Sequence, residues 1–167
     1  MRNVFAVLVT ILLVILQSTL LNKIAIQGVK PDLSLLAMIY LSNKNGKMLG
    51  QTLGFCSGLV EDFLSVSPLG FNGFIKTLIG FLFGLTEGTF YIDSVIIPMA
   101  MSGVATLLKG FMVWVLSLFF TLENLHFTFF SWSFLIEVGY NMFLAPFVFA
   151  FLGLIHGLTP KKQWEER

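Results

Sequence analysis

The feature that most limits what this chain can fold into is its division into apolar stretches of membrane-crossing length. A bilayer core about 30 Å thick needs ~20 apolar residues in a helix. Five stretches are candidates: Val4–Leu21, Met48–Leu64, Phe71–Leu85, Val95–Phe120 and Phe134–Leu158. A sixth, Pro31–Ser42, is short and reads as a tilted span, a half-helix or a surface segment. Proline in a first helical turn loses no hydrogen bond, and Asp32 beside it complements the helix dipole, so a helix starts there. Composition points the same way. Only 11% of the 167 residues are charged, against roughly a quarter in soluble domains. The 19 phenylalanines exceed what a core of this size can hide from water, yet they are at home against lipid. The expectation is one all-α, polytopic integral membrane domain over residues 1–167.

Threading follows from the basic residues. Six spans with the amino terminus inside place Arg2, Lys44, Lys47, Lys161, Lys162 and Arg167 in the cytoplasm and only Lys23 and Lys30 outside. Without a crossing at Pro31–Ser42, the best alternative orientation divides these residues evenly. The positive-inside rule therefore predicts six transmembrane helices, with amino and carboxyl termini cytoplasmic. Inside loops are then Asn43–Lys47 and Thr86–Ser94, and outer ones Asn22–Lys30, Ser65–Gly70 and Thr121–Ser133. Phe127, Phe129, Phe130 and Trp132 read as an outer aromatic belt, and Trp164 as its cytoplasmic counterpart. No small-x-small cleavage site follows the first apolar run, which reads as a retained helix rather than a signal peptide.

Glycine stands at 46, 50, 54 and 58, and Asp62 takes the next place in that row. Fourfold spacing keeps the row near one helix face, and small residues there let two backbones approach, which drives helix association in lipid. A second row, Gly80-Gly84-Gly88, runs along the next segment. Two antiparallel neighbours packing on each other is the simpler reading. The alternative is that one row receives a helix from another protein.

Five charges fall inside the five longer apolar stretches: Glu61, Asp62, Lys76, Lys109 and Glu137. Each costs at least ~2.5 kcal/mol in a bilayer unless paired or hydrated, so such residues face the interior and mark function. By depth, a polar cluster forms in the outer half of the bundle, with Asp62–Lys76 as its pair and Gln17, Asn72 and Asn141 within reach. Glu61 and Glu137 sit near helix ends and read as interfacial. Asp62 and Lys109 have no such excuse. Pro68 and Gly70 shape the turn Ser67-Pro68-Leu69-Gly70, beside which Asp62 lands.

Nothing in the chain points to catalysis, a metal or another cofactor. HExxH, G-x-S-x-G and glycine-rich phosphate loops are missing. His126 and His156 have no partner at ligand spacing, and adjacent carboxylates such as Glu61 and Asp62 point to different sides of a helix. The lone Cys56 rules out an intramolecular disulfide. A net charge of +1 leaves no basic field for nucleic acid.

These features, in this order, resemble the bacterial rod shape-determining MreD family. The resemblance lies in a signal-anchor-like first helix, Pro31-Asp32 before an apolar run, a short basic loop, Gly54-Phe55, Gly58-Leu59, Asp62 and the Ser67–Gly70 turn. Its motif covers residues 31 to about 84, while length and hydropathy fit throughout. Lys76 and Lys109 match no family position. The resemblance implies a non-enzymatic component of the cell-elongation machinery in the bacterial cytoplasmic membrane. Its partners there would be the bitopic MreC and, indirectly, the actin-like MreB and the glycosyltransferase and transpeptidase of lateral peptidoglycan synthesis. The family is also similar to the six-helix substrate-binding subunits of energy-coupling-factor vitamin transporters, which supplies a second reading. Those subunits carry small-residue spacing in their first helix, where this chain has Ala6 alone.

Overall fold

The computed structural model describes residues 2–19, 28–65, 67–89, 95–119, 131–155 and 158. Six helices run through them: α1 (Arg2–Thr19), α2 (Leu33–Asn45), α3 (Lys47–Leu64), α4 (Phe71–Gly84), α5 (Ile96–Phe119) and α6 (Trp132–Leu154). Each expected apolar stretch holds one helix. Of these, α5 and α6 are long and apolar enough to cross a membrane by themselves. The expected aromatic belt (Trp132 apart), both histidines, Lys23 and the basic carboxyl end lie outside the described residues.

The short segment is the centre of the fold. Every residue of α2 from Ser34 to Asn43 is buried. Its sequence is apolar on all sides, which suits a helix surrounded by others rather than a surface helix. At 1.5 Å per residue its 13 residues span ~20 Å, short for a bilayer. Its surroundings are the other five helices. The helix starts at Leu33, two residues after Pro31: Asp32 is the N-cap, its Oδ1 accepting from the Leu35 amide at 3.0 Å.

The other helices stand around α2 in the order α1, α3, α4, α5, α6, each touching its neighbour in that order and all touching α2. Among the described residues α1 and α6 make no close backbone approach, so the ring has a seam there. Ala6, Thr10 and Val14, at fourfold spacing, turn the inner face of α1 to the core. Large apolar side chains such as Leu8, Leu12, Phe55, Phe63, Phe111 and Phe147 point outward, an apolar exterior too large for an ordinary water-soluble monomer.

The tightest contact joins α3 and α4. A Cβ built on Gly50 would collide with the Gly80 carbonyl, and one on Gly80 with the Gly50 carbonyl. Gly54 lies as closely against the Lys76 carbonyl, and Gly84 against the backbone of Lys47. At Gly58 a Cβ would stand 2.5 Å from the Asn72 carbonyl oxygen. The two glycine rows thus face each other within one chain, with only hydrogens between the backbones. The rows are shorter than their spacing suggests. Gly46 lies outside α3, joining α2 to α3 at φ +86°, and Gly88 lies beyond the end of α4.

Candidate functional site

The charged residues gather at the end of the bundle where α2 begins, and Asp32 is their hub. Its Oδ1 lies 3.0 Å from Lys76 Nζ and 2.9 Å from the Ser34 hydroxyl, and its Oδ2 lies 2.8 Å from Lys109 Nζ. Lys109 also donates to Glu137 Oε1 at 2.9 Å. Lys76, fully buried, donates to Glu61 Oε1 and to the Ser34 hydroxyl. Gln17 ties in α1, with Nε2 2.7 Å from Glu61 Oε1 and Oε1 accepting from the Ser34 amide at 3.1 Å. The Asp32 amide donates to Asn141 Oδ1 at 2.9 Å, and Asn141 Nδ2 donates to Thr106 at 3.0 Å. Every one of the six helices, or its cap, contributes to this network.

The arrangement follows from depth and helix periodicity. Asp32 and Ser34 stand in the first turn of the central helix, so residues from all surrounding helices at that level can reach them. Glu61 and Asp62, one residue apart, turn ~100° from each other. Glu61 faces α2, and Asp62 faces the turn into α4. Paired in this way, each lysine meets two carboxylates, and removing a partner from a buried pair typically costs about 3–5 kcal/mol.

Two expectations are corrected here. Asp62 and Lys76 do not pair: Lys76 points to Asp32 and Glu61, while both Asp62 oxygens are taken up by the turn. Asp62 Oδ2 accepts from the amides of Gly70 at 2.9 Å and Gly73 at 3.2 Å. Its Oδ1 accepts from the amide and the side chain of Asn72, each at 2.9 Å. Gly70, the N-cap of α4, sits at φ +92° and has no side chain to cap with, so Asp62 supplies the missing acceptor from the previous helix. Pro68 closes the turn through its carbonyl, which accepts from Phe71 at 3.1 Å. The second correction concerns Glu61 and Glu137. Neither stands unpartnered at a helix end: Glu61 holds Lys76 and Glu137 holds Lys109.

Sequence reasoning missed Asp32 and Ser34 as members of the site. The signal was present in their position, level with Gln17, Glu61 and Lys76 in the six-span threading. Asn72 joins Asp62 rather than the lysines, while Gln17 and Asn141 belong to the network.

A cavity of about 260 Å³ adjoins the network, lined among others by Gln17, Lys30, Asp32, Glu61, Lys109 and Glu137. Among the described residues no three His, Cys, Asp or Glu side chains are placed to hold a metal ion.

Residues 1–155 match the family model of the rod shape-determining protein MreD. The chain belongs to the MreD family. Neither the curated proteins nor the solved structures contain a match to it. Membership of MreD gives the chain a role in determining rod shape. The site described above, from Gln17 in α1 to Asn141 in α6, lies wholly within the matched residues.

Proposed function

We propose that this protein is a non-enzymatic, six-span scaffold of the cell-elongation machinery, resident in the bacterial cytoplasmic membrane with both termini in the cytoplasm. In this reading it docks MreC and, through it, helps organise MreB and the enzymes of lateral peptidoglycan synthesis. The observation that carries the reading is the network at the α2 start, which ties all six helices into one frame. Its lysines and carboxylates are engaged with one another, which suits a rigid partner-holding body better than acid–base work. The apolar exterior and the six-to-two division of basic residues support the threading.

The test is purification of the tagged full chain from its native membrane in mild detergent. A bitopic MreC recovered in a fixed ratio is the expected result. Recovery of the chain alone, in cells whose rod shape still depends on it, would overturn the docking.

The transporter-subunit reading is favoured by one observation, the cavity beside the network. Against it stands α1. Its single alanine, Ala6, is fully buried, and its exposed face carries Val4, Leu8, Leu12 and Ile15 instead of small residues. A stable complex with an ATPase pair would revive that reading.

A further inference from the structure

The cavity has a chemistry that the scaffold role does not use. Within the network three carboxylates (Asp32, Glu61 and Glu137) face two ammonium groups (Lys76 and Lys109), so the assembly is one positive charge short. Both oxygens of Asp32 are engaged. Glu61 and Glu137 are held through Oε1 alone, and among the described residues their Oε2 atoms have no partner. Their side chains are 15% and 21% exposed, and both line the cavity. A carboxylate oxygen in that position recovers the hydration it has lost only from water or from a donor that enters the cavity.

Size and the remaining charge narrow the class of donor. A cavity of 150 Å³ accepts benzene, so about 260 Å³ has room for ~10 non-hydrogen atoms, far more than a bare metal ion. Lys30 lines the same cavity, is exposed, and takes part in no ion pair among the described residues. A simple cation would be repelled there, and a simple anion would meet Glu61 and Glu137. We propose that this cavity binds a small zwitterion, its ammonium group on the free oxygens of Glu61 and Glu137 and its anionic group at Lys30. An ethanolamine phosphodiester has that chemistry and size. It could be supplied by a phosphatidylethanolamine headgroup, entering at the seam between α1 and α6, or by a soluble molecule. The proposal is independent of partner docking, and co-purification of MreC could fail or succeed without touching it.

The experiment is calorimetric titration of the purified full chain with sn-glycero-3-phosphoethanolamine, ethanolamine and sn-glycerol 3-phosphate. Native mass spectrometry of the chain from phosphatidylethanolamine and phosphatidylglycerol nanodiscs forms the second arm. Saturable binding of the zwitterion, tighter than either fragment, is expected. Glu137→Gln should weaken it about tenfold or more, the scale of one charge-assisted hydrogen bond. Lys30→Ala, on an exposed residue outside the network, should weaken the zwitterion by a similar factor while leaving ethanolamine unchanged or tighter. It keeps the test open should Glu137→Gln fail to fold. Retained phosphatidylethanolamine that the soluble zwitterion displaces identifies a lipid source, and binding without retained lipid identifies a soluble one. The proposal is overturned by no saturable binding together with no retained lipid. Glycerol 3-phosphate binding as tightly as the zwitterion would also overturn it, as would an affinity that Lys30→Ala leaves intact.

Discussion

Two aspartates thirty residues apart do different work, and substitution separates them. Asp32 bridges two lysines and caps the central helix, so Asp32→Ala takes one carboxylate from each lysine and the acceptor from the Leu35 amide. We expect a loss of about 3–5 kcal/mol, read as a large fall in thermal unfolding temperature in detergent and in membrane abundance. Asp32→Asn keeps an acceptor for the Leu35 amide but not the charge, and should recover only a small part. Asp62 holds backbone amides and no cation. Asp62→Ala should cost about 2 kcal/mol, and Asp62→Asn, which retains one carbonyl acceptor, appreciably less. If Lys76→Ala and Asp62→Ala together are appreciably less harmful than the sum of the singles, the two residues interact directly and this division of labour is wrong. Sequence position made both lysines visible, because an ammonium group inside an apolar run has no local explanation. Asp32 escaped notice because helix capping already explains it locally.

At the level of the helices, α3 and α4 form a unit because neither backbone tolerates a side chain at the crossing. Gly80→Ala places a methyl group on the Gly50 carbonyl, and Gly54→Leu drives a larger one into the Lys76 backbone. Both should separate the helices and lower the abundance of the folded protein, Gly54→Leu more severely, since close packing in lipid has no hydrophobic substitute. Gly139→Ala in α6 meets nothing within 4 Å and serves as the neutral control. Equal stability of Gly80→Ala and Gly139→Ala would show that the crossing is looser than described. The fourfold spacing made this contact legible from residues alone. The role of α2 was not, because twelve or thirteen apolar residues look alike whether they lie on a surface or at an axis. What settles it is the number of neighbours, a property of the assembled bundle.

For the molecule as a whole, the threading can be read by labelling. In a background where Cys56, the one cysteine, is replaced by serine, Ser67→Cys should react with an impermeant maleimide added outside the cell. Lys44→Cys should react only after the inner face is exposed. Reversed labelling would invert the bundle and move the cavity to the cytoplasmic side. The existence of six helices and their approximate bounds was legible in hydropathy. Their order around α2 was not, since it depends on which faces find complementary partners. The hub at Asp32 also sets a timetable. Its two lysines follow it by 44 and 77 residues, so the carboxylate leaves the ribosome well before either cation. At ~5–20 residues per second, about 4–15 s separate Asp32 from Lys109. Until that interval ends, the carboxylate on the central helix lacks at least one of its two cations. A chain truncated after Gly84 should therefore be degraded faster in a pulse-chase than one ending after Leu154. The last two helices, by bringing Lys109 and Glu137, decide whether the first four are kept.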